Sequence, residues 1–183
     1  MRSDSRLIPR IERPDDLERS MRGISRESER MSVLVDDLLL LARLDDGRPL
    51  ERDAVALDEV VGEAVETAQA VEPDRPIALA AEHLVVLGDR DRLRQIVDNL
   101  LANARAHTPA GTSVSVSLRP ENGDAVLEVA DRGPGLAPAE LEHVFERFYR
   151  ADPSRARASG GAGLGLSIVA AVAEAHGLSL IHI

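Results

Sequence analysis

An apolar seam near the start of the chain constrains the fold more than any other feature. Alternating steps of four and three residues lead through Leu17, Met21, Ile24, Ser28, Met31, Val35, Leu38 and Ala42. This heptad spacing, apolar at every position but one, predicts a long helix with one continuous apolar face. Such a helix is not stable alone in water. It needs a partner, either a second copy of the chain or the domain that follows.

The composition excludes several kinds of chemistry. The chain of 183 residues has no cysteine, and all 22 of its basic residues are arginine. It therefore has no disulfide, no thiolate metal site and no lysine for a P-loop or a Schiff base. The 32 acidic residues leave a net charge of −10, which argues against nucleic acid as a partner. No apolar run approaches the roughly 18 residues that a membrane span needs.

Short strand and helix patterns alternate after the seam. Strands are predicted at residues 53–57, 76–80, 84–87, 113–118 and 125–130, and Asn122-Gly123 marks a hairpin turn between the last two. Helices are predicted at 58–71, from a cap at Asp89 to about residue 107, and at 139–144 and 164–176. Helices grouped with a mostly antiparallel sheet indicate an α+β sandwich.

Two asparagines in the predicted helix after Asp89 are candidate ligands. Asn99 and Asn103 lie four residues apart, so their amides share one helix face. An amide oxygen is a neutral, hard ligand that suits Mg²⁺, especially where phosphate oxygens supply the other ligands. Taken alone, such a pair is more often two solvated side chains than a metal site.

Two glycine-rich segments carry further signals. Residues 131–135 (Asp-Arg-Gly-Pro-Gly) follow a strand, where a carboxylate can accept a hydrogen bond from an exocyclic amine, although this composition is also common in plain turns. Residues 160–165 (Gly-Gly-Ala-Gly-Leu-Gly) precede a helix, and exposed N–H groups at a helix N-terminus suit a phosphate. No strand comes directly before this second segment, so it is not a dinucleotide-binding fingerprint. Four arginines, either phosphate ligands or part of a solvated loop, crowd the stretch before it: Arg147, Arg150, Arg155 and Arg157.

The order of these signals resembles that of the sensor histidine kinases. The matching motifs are an asparagine box at 99–104, a first glycine box at 131–136, a phenylalanine box at 145–150 and a second glycine box at 161–169. The end of the heptad helix, at 35–43, is similar to the second helix of that family's dimerisation hairpin. The resemblance covers about residues 14–177.

The resemblance implies a Bergerat-type (GHKL) α/β sandwich that binds ATP and Mg²⁺. Asp131 would bind the adenine amine, and Asn103 would coordinate Mg²⁺. Arg150 would reach the phosphates, and the glycines of 161–165 would close over them. The positions that match the family's nucleotide site are Asn99, Asn103, Asp131, Gly133, Gly135, Tyr149, Arg150, Gly161, Gly163, Leu164 and Gly165. In the related gyrase and heat-shock ATPases a water-activating glutamate stands at the position of Asn99. An amide cannot act as that base, which favours phosphoryl transfer over hydrolysis.

The resemblance also implies partners and a location. The parent protein would be an ATP:protein-histidine phosphotransferase that dimerises through the heptad helix and passes phosphate to a response-regulator receiver domain. This chain would be the cytoplasmic portion of a bacterial kinase anchored in the inner membrane by segments outside it. Two alternatives remain. One is a serine kinase of the anti-sigma-factor type, which lacks the heptad helix, and the other is a non-catalytic, dimerising ATP-binding module.

Three departures from the family pattern limit the expected activity. None of the five histidines is followed by an acidic residue or lies on the heptad helix, so the phosphoacceptor motif is absent and we expect this chain alone to be inactive. Ala106 stands where the family often has a basic residue that contacts phosphate. Residues 178–183 (Leu-Ser-Leu-Ile-His-Ile) resemble the translation of a sequencing adapter, so we expect the last strands of the sheet to be missing.

The predicted organisation therefore has four parts. An irregular segment at 1–13 precedes a dimerisation helix at 14–47, which is part of a histidine-kinase hairpin. An incomplete ATP-binding domain follows at 52–177, and a non-native tail closes the chain at 178–183.

Overall fold

The computed structural model describes residues 14–47, 50–150 and 162–180. Within it the chain divides into two compact units, Met1–Leu40 and Leu41–Ile183. The predictions made for residues 1–13, for Gly161, Arg155 and Arg157 and for the last three residues of the tail lie outside the described residues.

The first unit consists, in its described part, of one helix. Helix α1 spans Pro14–Asp45, which confirms the long helix predicted from the heptad spacing. The apolar seam positions from Leu17 to Leu38 are all exposed, with Ile24 at 70%. The side chains that the heptad pattern places on one face are therefore open to a partner in this unit.

The second unit contains the strands and the remaining helices. In chain order they are β1 (Asp53–Ala56), α2 (Leu57–Val71), β2 (Ile77–Ala81), β3 (Val85–Gly88), α3 (Arg90–His107), β4 (Val114–Glu121), β5 (Asp124–Asp131), α4 (Pro138–Leu141) and α5 (Gly165–His176). Each predicted strand and helix is present, with bounds that differ by a few residues. The α+β prediction is confirmed.

Two sheets organise the strands of this unit. Strands β1 and β3 form an antiparallel pair, while β2, β4 and β5 form a second sheet in that order. In it β2 runs parallel to β4, and β4 pairs with β5 as an antiparallel hairpin whose last partners are Glu121 and Asp124. Asn122 and Gly123 form the two-residue turn with φ of 53° and 95°, as a tight hairpin requires.

The core lies between the larger sheet and the helices. Strand β4 buries Val114, Val116 and Leu118 on one face, the alternation expected of a strand with one covered side. Helix α3 packs against both α2 and α5, α2 contacts β2 and α3 contacts β5. Helix α3 therefore packs between the other two long helices of this unit.

The bounds of one short helix differ from the prediction. Helix α4 ends at Leu141 and not at residue 144, because the chain continues in separate turns. In these turns His143 N–H donates to the Glu140 carbonyl, and Glu146 N–H donates to the His143 carbonyl.

Among the described residues, no helix has both the length and the apolar composition that a membrane crossing needs.

Candidate functional site

Helix α3 presents the two candidate amides. Asp89 caps its start by accepting a hydrogen bond from the Arg92 backbone N–H at 3.1 Å, as predicted. Asn99 and Asn103 follow on one face, both half-buried, about 6 Å apart along the helix axis. Within the described residues neither amide makes a hydrogen bond, so both are open to a ligand. A neutral oxygen donor of this kind fits Mg²⁺ that is otherwise held by phosphate oxygens.

A tight turn at the end of β5 presents Asp131. One carboxylate oxygen, Oδ1, accepts a hydrogen bond from Gly133 N–H at 2.8 Å, which fixes the side chain against its own turn. Asp131 is exposed, and no described residue donates a hydrogen bond to its other carboxylate oxygen, Oδ2. That oxygen is therefore available to a ligand. A Cβ at position 133 would lie 2.6 Å from both Asp131 Oδ1 and Thr108 Cγ2. Any side chain at position 133 would therefore collide with both neighbours, which is why a glycine stands there.

The start of α5 packs closely against α3. A Cβ at Gly165 would lie 3.2 Å from Asn99 Oδ1, tighter than ordinary van der Waals contact. The following residues Ile168 and Val169 are fully buried and anchor the helix in the core. The glycine thus lets the N-terminus of α5, with its free N–H groups and partial positive charge, approach one of the two candidate amides.

The segment after α4 joins the same region. Phe148 N–H donates to the Gly163 carbonyl at 2.9 Å, and a Cβ on Gly163 would lie 2.7 Å from the Tyr149 carbonyl oxygen. Phe148 and Gly163 both have positive φ, at 64° and 74°. This contact brings half-buried Tyr149 and Arg150 close to the chain that enters α5.

Ion pairs account for several of the charges near this segment. Arg147 donates to both carboxylate oxygens of Asp45, at 2.7 and 2.9 Å. These hydrogen bonds hold the pKa of Asp45 below its ordinary value and raise the pKa of Arg147. A hydrogen bond and the charge of Glu146 raise the pKa of His143. Arg147 is thus engaged by a carboxylate, whereas Arg150 has no such pairing among the described residues.

The predicted site residues fall into three local groups, two of which lie at α3. Asp131 and Gly133 lie beside Thr108, just beyond the C-terminal end of α3. Asn99 contacts Gly165 further towards the N-terminus of α3. Tyr149 meets Gly163, next to the buried Leu164. Gly135 has a φ of 69°, and a Cβ there would meet nothing within 4 Å, so its role is to give the turn a backbone conformation that other residues rarely adopt. Gly161 lies outside the described residues. No cluster of three or more His, Cys, Asp or Glu side chains suited to a metal ion occurs within the described ranges.

Sequence reasoning did not identify two residues beside this site. Thr108 contacts the Asp131 turn, and buried Arg75 holds Thr108 through a hydrogen bond of 2.8 Å. The sequence around Thr108 (His-Thr-Pro) marks a helix end, but no local pattern links it to residue 75.

Comparison with known proteins places this geometry in one family. Residues 88–182 match the model of the histidine kinase-, DNA gyrase B- and HSP90-like ATPase family. The probable sensor histidine kinase TcrY of Mycobacterium tuberculosis (strain ATCC 25618 / H37Rv) is 47% identical over 179 residues, which are 96% of this chain and 38% of that protein. The sensor-like histidine kinase SenX3 of Mycolicibacterium smegmatis is 38% identical over 95% of this chain and 46% of its own length. The chain thus spans less than half the length of these curated relatives.

Solved structures agree with the sequence relatives. The mycobacterial sensor histidine kinase MprB superposes with a TM-score of 0.61 at 35% identity, over 69% of this chain and 80% of that one. Full-length ShkA, solved in complex with AMPPNP, superposes with a TM-score of 0.69 at 32% identity, over 86% of this chain and 34% of that one. The chain belongs to the sensor histidine kinases and carries the ATP-binding domain of that family.

Proposed function

We propose that this chain is the ATP-binding part of a two-component sensor histidine kinase. The parent enzyme transfers the γ-phosphate of ATP to a histidine outside this chain and then to an aspartate of a response regulator. One observation carries the proposal: Asp131, the amides of Asn99 and Asn103, and the glycine-rich start of α5 are arranged in that order along α3. A nucleotide laid along α3 meets a group suited to its base at one end and groups suited to its phosphates at the other.

Asp131 recognises the base in this proposal. Its Oδ1 is held by Gly133 N–H, so the carboxylate is already oriented before a ligand arrives. The other oxygen accepts the exocyclic amine of adenine, a hydrogen bond to a charged acceptor, which is stronger than a neutral one. A purine without that amine loses this interaction.

The asparagines and α5 act on the phosphates. Asn103 supplies an oxygen ligand to Mg²⁺, and Asn99 lies beside it on the face that meets Gly165. The N–H groups at the start of α5 face the phosphate charge, and Arg150 adds a positive charge nearby. Asn103 would hold the Mg²⁺, which would supply positive charge to offset the negative charge that develops during transfer. An amide at position 99 cannot deprotonate water, so the arrangement favours transfer over hydrolysis.

The first unit supplies the dimer contact in this proposal. Its exposed apolar seam suits a second copy of the same helix, which would place residues 14–47 in the dimerisation element and 52–177 in the ATP-binding domain. In this proposal the parent is a bacterial kinase anchored in the inner membrane by segments outside this chain. This chain is the cytoplasmic portion of that kinase. The further partner is the receiver domain of a response regulator.

The test measures binding and the fate of the phosphate separately. We expect the 183-residue chain to bind ATP in the presence of Mg²⁺ and to release no inorganic phosphate above the uncatalysed rate. We expect the full-length gene product to form an acid-labile phosphate on a histidine. Steady ATP hydrolysis by the chain, or an acid-stable phosphoserine, would contradict the proposal.

One observation favours a second candidate, a non-catalytic ATP-binding module that dimerises. None of the five histidines stands before an acidic residue, so no acceptor motif is present in this chain. The same labelling experiment separates the two. A full-length protein that binds ATP and never becomes phosphorylated supports the module.

A further inference from the structure

Arg75 is a buried arginine next to the candidate site. It lies between α2 and β2, is only 5% exposed and forms an ion pair with Glu72 through Nε at 2.8 Å. Burying a charge is costly unless it is paired and hydrogen-bonded, so this side chain occupies a specific position. Its remaining hydrogen bonds show what it holds.

These hydrogen bonds all reach the loop between α3 and β4. Nη1 donates to Thr108 Oγ1 at 2.8 Å and to the Thr112 carbonyl at 3.0 Å, and Nη2 donates to the Pro109 carbonyl at 3.3 Å. The hydrogen bond from Arg75 also holds the pKa of Glu72 below its ordinary value. The planar guanidinium therefore fixes the loop through groups 33 to 37 residues away in sequence.

Thr108 connects this loop to the turn that presents Asp131. Its hydroxyl accepts from Arg75 and donates to the Ala104 carbonyl at 2.6 Å, so the side chain has a single orientation. Its methyl group Cγ2 lies beside Gly133: a Cβ on this glycine would be 2.6 Å from Thr108 Cγ2 and 2.6 Å from Asp131 Oδ1. A shift of this methyl group changes the space available to the Asp131 turn.

We propose that Arg75 is a positioning residue for base recognition, which acts through Thr108 on the Asp131 turn. The inference rests on the proposed function, because it requires that Asp131 binds the base. It adds that the carboxylate owes its orientation to a buried arginine that never contacts the nucleotide. Loosening the Thr108 link lowers the preference for adenine without removing a ligand of the phosphates.

Substitutions at Thr108 test the link, because Arg75 itself is buried among several partners and its loss risks unfolding. Thr108→Val keeps the shape and the methyl contact but removes the hydroxyl. Thr108→Ser keeps the hydroxyl and removes the methyl group. Thr112→Val is the matched control: it removes a hydroxyl from the same loop, and Arg75 uses only the backbone carbonyl of that residue.

The measurement is the ratio of two dissociation constants, for ATP and for purine riboside triphosphate, which lacks the 6-amino group. We expect the wild-type chain to prefer ATP. Both Thr108 variants should lose about two- to tenfold of that preference, the worth of one hydrogen bond, while Thr112→Val keeps it. In an Asp131→Asn background the Thr108 variants should change the ratio no further, since the group through which they act is gone.

The possible failures are distinguishable. If the wild-type chain binds both nucleotides equally, the base-binding role of Asp131 is wrong, and this inference is wrong with it. If the wild type prefers ATP and the Thr108 variants keep the full preference, only the positioning role is wrong, whatever their melting temperatures. Arg75→Lys provides the second check. One ammonium group cannot make all the hydrogen bonds of the planar guanidinium, so this variant should lower the preference for ATP as Thr108→Val does. The double variant Arg75→Lys/Thr108→Val should lower that preference no further than either single variant.

Discussion

Substitution of Gly133 by alanine should disturb the Asp131 turn by an amount that follows from the distances around this glycine. The new Cβ would lie 2.6 Å from Asp131 Oδ1 and from Thr108 Cγ2. Reaching ordinary contact at 3.4 Å requires the neighbours or the turn to move by about 0.8 Å. A move of that size would stretch the 2.8 Å hydrogen bond between Gly133 N–H and Asp131 beyond its useful range. Overpacking of this kind costs about 1–3 kcal/mol of folding free energy.

Two assays follow the effect of this substitution. Thermal unfolding should show a lower melting temperature, by roughly 3–10 °C for a domain of this size. Calorimetry should show ATP binding weakened by about tenfold, because the carboxylate that accepts the adenine amine is displaced.

Gly62→Ala is the control for this substitution. A Cβ there meets nothing within 4 Å, and the residue lies inside α2. We expect it to stabilise the domain by about 0.5–1 kcal/mol and to leave ATP binding unchanged. Wild-type stability and affinity in Gly133→Ala would refute the proposed close approach at the Asp131 turn.

Further predictions concern the metal, the acceptor and pH. Asn103→Asp should change the Mg²⁺ dependence of ATP binding and abolish phosphoryl transfer in the full-length protein, and Asn99→Asp should be milder; an unchanged Mg²⁺ titration for Asn103→Asp would assign the metal elsewhere. The 183-residue chain should incorporate no acid-labile phosphate from labelled ATP, and labelling of any of its histidines would contradict this. Because the folded-state pKa of Glu72 lies below its ordinary value, the stability it contributes is present above about pH 4.5 and is lost as the pH falls through the folded-state pKa. Glu72→Gln should therefore reduce the acid sensitivity of unfolding, and an unchanged pH profile would count against the ion pair with Arg75.

Local signals in the sequence predict most elements of the fold. The heptad spacing predicts α1, the Asp89 cap is in place, and Asn122-Gly123 forms the hairpin turn. Each of these features depends on residues near one another in sequence, where propensity and periodicity act directly. The pairing of β2 with β4 is different. These parallel strands are separated in sequence by β3 and α3, and β2 shows little alternation of apolar and polar residues that would predict its partner.

The candidate site shows the same division. The motif residues could be predicted because their types suit ATP and their order resembles a known family. The residues that brace them could not, because Arg75 reads locally as a charged turn residue between Asp74 and Pro76, and charged residues in turns are usually solvated. Its burial depends on carbonyl groups 34 and 37 residues later, a relation that only the folded chain creates. The short helix at 138–141 ends early for a related reason, because hydrogen bonds in the following turns compete with helix continuation.

Calorimetric titration of ATP with Mg²⁺ into the wild-type chain and into Asp131→Asn tests the central claim most directly. The substitution keeps the size of the side chain and removes the charged acceptor. Loss of a hydrogen bond to a charged group costs about 1.5–3 kcal/mol, so the account predicts a ten- to hundredfold weaker affinity in the variant. Equal ATP affinity in the two proteins would contradict the assignment of Asp131 to adenine and, with it, the placement of the nucleotide along α3.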